Sequence, residues 1–199
     1  MFDKQYRFKG SHAVRVTKLT SIFESIKGIP TKVFERNVDV LCNAPLIGFL
    51  YNRTAELDNT KNPTTGEVDT TNIMGDRVIY SSEEMLFNFR LIMLLDSAYE
   101  PDAQKRLDKA FRKHEPADEE HYDSYVRGGV DVLYEKLVDG ATSTDDFVNR
   151  LSDFITEFDE RFNADISDEA LAKCYKKRRR LSWGSSSVRG SRRRSCAYH

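Results

Sequence analysis

The apolar residues of this 199-residue chain return at spacings of three and four along most of its length, and the period-two alternation of a half-buried strand is nearly absent. Such spacing gives each helix one apolar stripe, and stripes are stable only when buried against one another. The pattern therefore predicts an all-α (mainly) fold, a single-domain helical bundle of about six to seven helices with a long loop and at most a short strand pair. Ser11 is placed to cap a first helix carrying Val16, Leu19, Ile22, Phe23 and Ile26, ended by Gly28 and Pro30. A second, over residues 33–51, contains Pro45, which lacks a backbone donor and is expected to kink the helix or divide it.

From 53 to 76 the periodicity stops and Asn, Asp, Thr, Gly and Pro crowd together, most densely from Asn59 to Gly66, which predicts a long loop. Val78, Ile79 and Tyr80 form a candidate short strand. After a Ser82 cap, residues 85–95 are apolar nearly all round, the composition of a helix at the centre of a bundle. Pro101 suits the first turn of a helix carrying Ala103, Leu107, Ala110 and Phe111. An acidic break, Glu115 to Glu120, precedes a helix over 122–138 with Gly128 and Gly129 inside it. Interior glycines cost a helix up to about 1 kcal/mol each, so they are expected where a neighbour comes too close for a side chain, and Gly48 reads the same way. Thr144 caps the clearest amphipathic helix, with Phe147, Val148, Leu151, Phe154, Ile155, Phe158 and Phe162 on one face, and Ser167 caps a last helix through Leu171 and Cys174.

Charge divides the chain unevenly. Residues 1–175 carry 22 Lys and Arg against 32 Asp and Glu, whereas 176–199 carry nine basic residues and no acidic one. The expected organisation is a helical domain, 1–175, and a basic low-complexity tail, 176–199, too polar to bury a core. Residues 1–175 hold enough apolar and aromatic side chains for one core, and no run approaches the ~20 apolar residues of a membrane span. Met1 to Gln5 are followed by no apolar signal region, so cytoplasmic residence is the expectation.

No catalytic, cofactor-binding or metal-ligating set is expected. Asp118 and His121 share a helical face, but a di-iron bundle needs a second such pair, and the residues three before His12 and His114 are Lys9 and Phe111. A solvated acidic helix start is the stronger reading, and a metal enzyme built on His121 with Asp118, Glu119 and Asp123 the weaker. Cys42, Cys174 and Cys196 form no C-x-x-C, and Cys42 reads as a small buried hydrophobe. The P-loop and G-x-G-x-x-G patterns are missing from the sequence.

Two stretches carry a resemblance. Phe34-Glu35-Arg36-Asn37-Val38-Asp39, with Ala44, Ile47-Gly48-Phe49 and Leu57, and then the block from Tyr125 to Leu137 with its Gly128-Gly129 pair, are similar to a family of small bacterial proteins found beside DNA phosphorothioation (Dnd) genes. The resemblance implies an accessory protein of a prokaryotic DNA-modification or phage-defence system and brings no catalytic residues with it. The expected function is therefore a non-enzymatic interaction module, docking on a larger protein of a defence or DNA-processing complex. An alternative is direct binding of DNA, either through a basic patch of Lys9, Arg15 and Lys18 with Lys27, or through the tail, including Lys177, Arg178, Arg179 and Arg180. Nine tail cations would give affinity a log–log salt slope of about −8. A variant of the docking reading is an acidic DNA mimic that blocks a DNA-binding enzyme.

Overall fold

The computed structural model describes residues 2–26 and 29–162, without the side chains of 23–31. In chain order the elements are β1 (Tyr6–Lys9), α1 (Gly10–Leu19), β2 (Phe23–Ile26), β3 (Ile29–Thr31), α2 (Asn37–Leu50), β4 (Thr70–Ile73), α3 (Gly75–Tyr80), α4 (Ser82–Leu95), α5 (Ala103–Phe111), α6 (Pro116–Leu137) and α7 (Thr144–Phe162). The fold is mainly helical, as the spacing predicts. Two antiparallel strand pairs accompany the helices: β1 with β4, Tyr6 opposite Ile73 and Lys9 opposite Thr70, and β2 with β3. One unit spans Met1–Ile155 and a second begins at Thr156. The helix predicted after Ser167 and the basic tail lie outside the described residues.

The spine of the first unit is α6, packed against α1, α2 and α4. Its buried Tyr122, Val126, Val130, Leu133 and Leu137 recur every three or four residues and meet Val16 and Leu19 of α1, Val40 and Leu41 of α2, and Met85, Phe89 and Ile92 of α4 in one core. Burial of each such side chain contributes about 1.5–3 kcal/mol before ordering entropy. Where α2 crosses α6 the main chains touch. A β-carbon on Gly129 would lie 1.8 Å from the Ala44 carbonyl oxygen, one on Gly48 2.2 Å from that of Tyr125, and one on Gly128 2.0 Å from that of Arg53.

Several local expectations change. The first helix stops at Leu19, because Thr20 Oγ1 and Ser21 Oγ turn back onto the carbonyls of Val16 and Thr17 and compete with the helical ladder. Its start is also different. The cap comes from a distant residue, Asp58, whose carboxylate accepts from Ser11 N at 2.8 Å. Pro45 neither ends nor divides α2; the helix runs on through it, buried against its neighbours, and Asn88 Nδ2 of α4 donates to the Cys42 carbonyl at 2.8 Å in the turn before the proline. Residues 78–80 are helical, within α3, rather than a strand. The 53–76 segment contains β4 and a tight turn closed by Asn62 N to Glu67 O and Gly66 N to Asn62 O, both 2.8 Å. On α7 only Phe147 is buried, while Leu151 and Phe154 are half-buried and Val148 and Ile155 stand exposed.

Candidate functional site

The expectation that residues 85–95 form the centre of the bundle is half met. Met85, Asn88, Phe89, Ile92 and Met93 face the core, but α4 lies at the side of α6, and Phe87 and Leu95 remain 63% and 58% exposed. Phe87 is followed at four residues by the half-buried Leu91, which places both on the outward side of the helix, whereas the half-buried Leu94 packs against the core. The neighbouring α5 extends this surface with Leu107 and Phe111, the latter 54% exposed beneath the Arg90 guanidinium. The result is an apolar face built from two helices, rimmed at the N-terminal end of α4 by Glu83 and Glu84. Large exposed apolar faces rimmed by charge are the usual mark of a protein interface.

Ionisable groups converge at one other place, between the C-terminal end of α4 and the first half of α6. Asp96 follows α4, and its carboxylate accepts from His121 Nε2 and Tyr125 OH, both 2.8 Å, and from the backbone of Ala98 and Tyr99 at 3.2 and 3.0 Å. Burial alone would raise its pKa, but these donors outweigh burial and hold it below the usual carboxylate range. Tyr99 stacks on the His121 ring, centroids 3.8 Å apart, and its hydroxyl donates to Asp118 at 2.8 Å. Asp118 is fully buried, against the expectation of a solvated helix start. It also accepts from Lys109 Nζ and, at 2.8 Å, from Glu115 N, which caps α6. Burial and the carboxylate together push the Tyr99 hydroxyl up to about 12.

A groove beside this network is lined by Thr54–Leu57, Glu120, His121, Ser124 and Arg127. Arg127 is spent on the Ala55 carbonyl and Glu120, and Ser124 donates to the His121 backbone carbonyl at 2.6 Å rather than to its imidazole. The pairing with Asp96 orients the His121 ring and leaves Nδ1 as its second polar atom, with the Ser124 hydroxyl turned away to the backbone rather than set beside it as a nucleophile. The three carboxylates that sequence placed around His121 go to different partners: Asp118 to Lys109 and Tyr99, Glu119 to His114 at 3.1 Å, and Asp123 to Tyr6 OH at 3.3 Å. Among the described residues no group of three or more His, Cys, Asp or Glu is placed to hold a metal ion.

No family model, curated protein or solved structure matches this chain.

The proposed basic patch is largely committed within the fold. Arg15 pairs with Asp131 and, like Lys18, lies over the Tyr134 ring; Lys18 Nζ also donates to the Tyr134 hydroxyl at 3.2 Å. Lys9 sits at the end of β1, immediately before α1. The side chain of Lys27 and the tail residues Lys177, Arg178, Arg179 and Arg180 lie outside the described residues. Cys42 is buried, and burial pushes its thiol up to about 12. The Asp96–His121 pair went unseen in the sequence because its members are 25 residues apart, one just past the end of α4 and the other on α6.

Proposed function

We propose that this chain is a non-enzymatic interaction protein that docks, through the outer face of α4 and α5, on a larger and basic protein of a prokaryotic DNA-modification or phage-defence system. The observation that carries the reading is the exposed set of Phe87, Leu95 and Phe111 with the half-buried Leu91 beside them. A helix apolar on every side is otherwise a core helix, and here one side has no covering element among the described residues. The acidic rim of Glu83 and Glu84, on a body with ten more acidic than basic residues through position 175, fits a partner whose apolar face is ringed by Lys or Arg. The system named is the one implied by the resemblance of residues 34–57 and 125–137.

The test is affinity capture from the native host with tagged full-length chain, followed by the same capture with Phe87→Asp. Stoichiometric recovery of a product of an adjacent DNA-modification or defence gene is expected. Loss of a central aromatic anchor costs roughly 2 kcal/mol or more, about thirtyfold in affinity, so the variant should lose the partner while keeping its circular dichroism spectrum. Recovery of no such product at low salt, or undiminished recovery with the variant, defeats the reading.

A further inference from the structure

A second surface, apart from the docking face, has a more specific chemistry. At the start of α2, between β4 and α3, lies a cavity of about 290 Å³ lined by Arg36, Asn37, Val38, Asn72, Ile73, Met74 and Arg77. Its floor is apolar, from the buried Val38 and Ile73. Its polar lining is biased toward donors. Asn37 Oδ1 accepts from Thr20 Oγ1 at 2.9 Å and Asn72 Oδ1 accepts from Arg7 Nε at 2.8 Å, so each carboxamide has its oxygen taken and its amino group left to donate. Arg36 gives Nε and one Nη2 hydrogen to Asp39, at 3.3 and 2.6 Å, and keeps its other three N–H groups. Arg77 Nε lies 3.8 Å from the Asp76 carboxylate, beyond hydrogen-bond length, and its side chain makes no other carboxylate pairing among the described residues. Two guanidinium groups and two carboxamides, drawn from three places in the sequence (36–37, 72 and 77), line a space in which the two neighbouring carboxylates answer them only in part.

Two large side chains that the fold leaves open adjoin it: Met74, one of the lining residues, at 72% exposure, and Tyr80 at 84%, three residues after Arg77 and so on the same side of α3. A donor-lined cavity needs an acceptor-rich anion, and planar phosphate recognition favours arginine. An aromatic ring beside it offers a stacking platform for a base.

We propose that this cavity binds the phosphate and base of a nucleotide unit, either a free nucleotide or one residue of a single strand, with Arg36, Arg77, Asn37 and Asn72 on the phosphate and Tyr80 against the base. The proposal does not rest on the docking reading, and neither Arg77 nor Tyr80 belongs to the α4–α5 face.

Isotope-labelled full-length protein is titrated separately with uridine monophosphate, a short oligothymidylate and inorganic phosphate, and the backbone and side-chain amide resonances of Asn37 and Asn72 are followed by NMR. Saturable shifts are expected with the nucleotide or the oligonucleotide, and weaker ones with phosphate. Saturation by the oligonucleotide alone marks the single strand as the source, and saturation by the mononucleotide alone marks the free compound. Arg77→Gln, an exposed position, should weaken binding about tenfold by removing charge-assisted bonds. Tyr80→Ala should weaken the nucleotide but not inorganic phosphate, again by about tenfold. Absence of shifts at Asn37 and Asn72, phosphate bound as tightly as nucleotide, or affinities untouched by Arg77→Gln, as when only the basic tail binds, overturns the proposal.

Discussion

Asp123 is held in a site that favours its neutral form. Burial, countered in part by Arg127, raises its pKa to about 6, and among the described residues the side chain bonded to it is Tyr6. A carboxyl whose folded pKa lies above its unfolded value binds more protons folded than unfolded, so its stability cost appears as pH rises through roughly 4 to 6 and is complete above that. Asp123→Asn should therefore stabilise the protein at pH 7 by on the order of 1–2 kcal/mol, and the gain should vanish near pH 4 in urea titrations. Tyr122 carries a different cost. Its ring is fully buried and its hydroxyl has no hydrogen-bond partner among the described residues. Tyr122→Phe should be neutral or raise stability by up to about 1 kcal/mol; a loss of more than that would mean the hydroxyl is satisfied. Gly129 tolerates nothing larger, since its missing β-carbon would meet main chain rather than a movable side chain. Gly129→Ala is expected to cost about 3 kcal/mol or more by thermal denaturation, whereas Gly66→Ala, open on all sides but at φ 73°, should cost only about 1 kcal/mol.

At the scale of elements, what the sequence showed and what it hid divide along local and distant causes. Helix-forming stretches were legible because a stripe such as Tyr122, Val126, Val130, Leu133 and Leu137 is written in consecutive turns. Termini were less so. The end of α1 hangs on Thr20 and Ser21 bending back onto its carbonyls, and its start hangs on a carboxylate 47 residues away. Periodicity carries no trace of such a cap. Asp58→Ala should cost about 1 kcal/mol, the usual worth of an N-cap, with amide exchange accelerating first at Ser11 and Thr60, the two backbone donors that this carboxylate holds. The exposure of α4 was hidden for another reason, because an apolar surface awaiting a partner and one inside a core have the same composition. The groove beside His121 and the cavity at the start of α2 each draw side chains from separated segments, which no spacing rule brings together.

For the molecule as a whole, three paired carboxylates set the acid limit. Asp96, Asp118 and Asp131 are each pushed up by burial and pulled down further by their donors, His121 for the first, Lys109 for the second, and His12 with Arg15 for the third. Groups with depressed pKa values contribute stability above their unfolded value and lose it as pH falls, so cooperative unfolding should set in below about pH 4. A titration by circular dichroism that stays flat to pH 2 would contradict that arrangement. The direct meeting of α2 and α6, main chain on main chain, has a consequence for motion. Side-chain contacts yield by changing rotamer, but two backbones in van der Waals contact have nothing to rearrange. These two helices should thus move as one stiff beam. Any bending that accompanies recognition then falls to the pieces attached to it through side chains alone, α4 with α5 foremost.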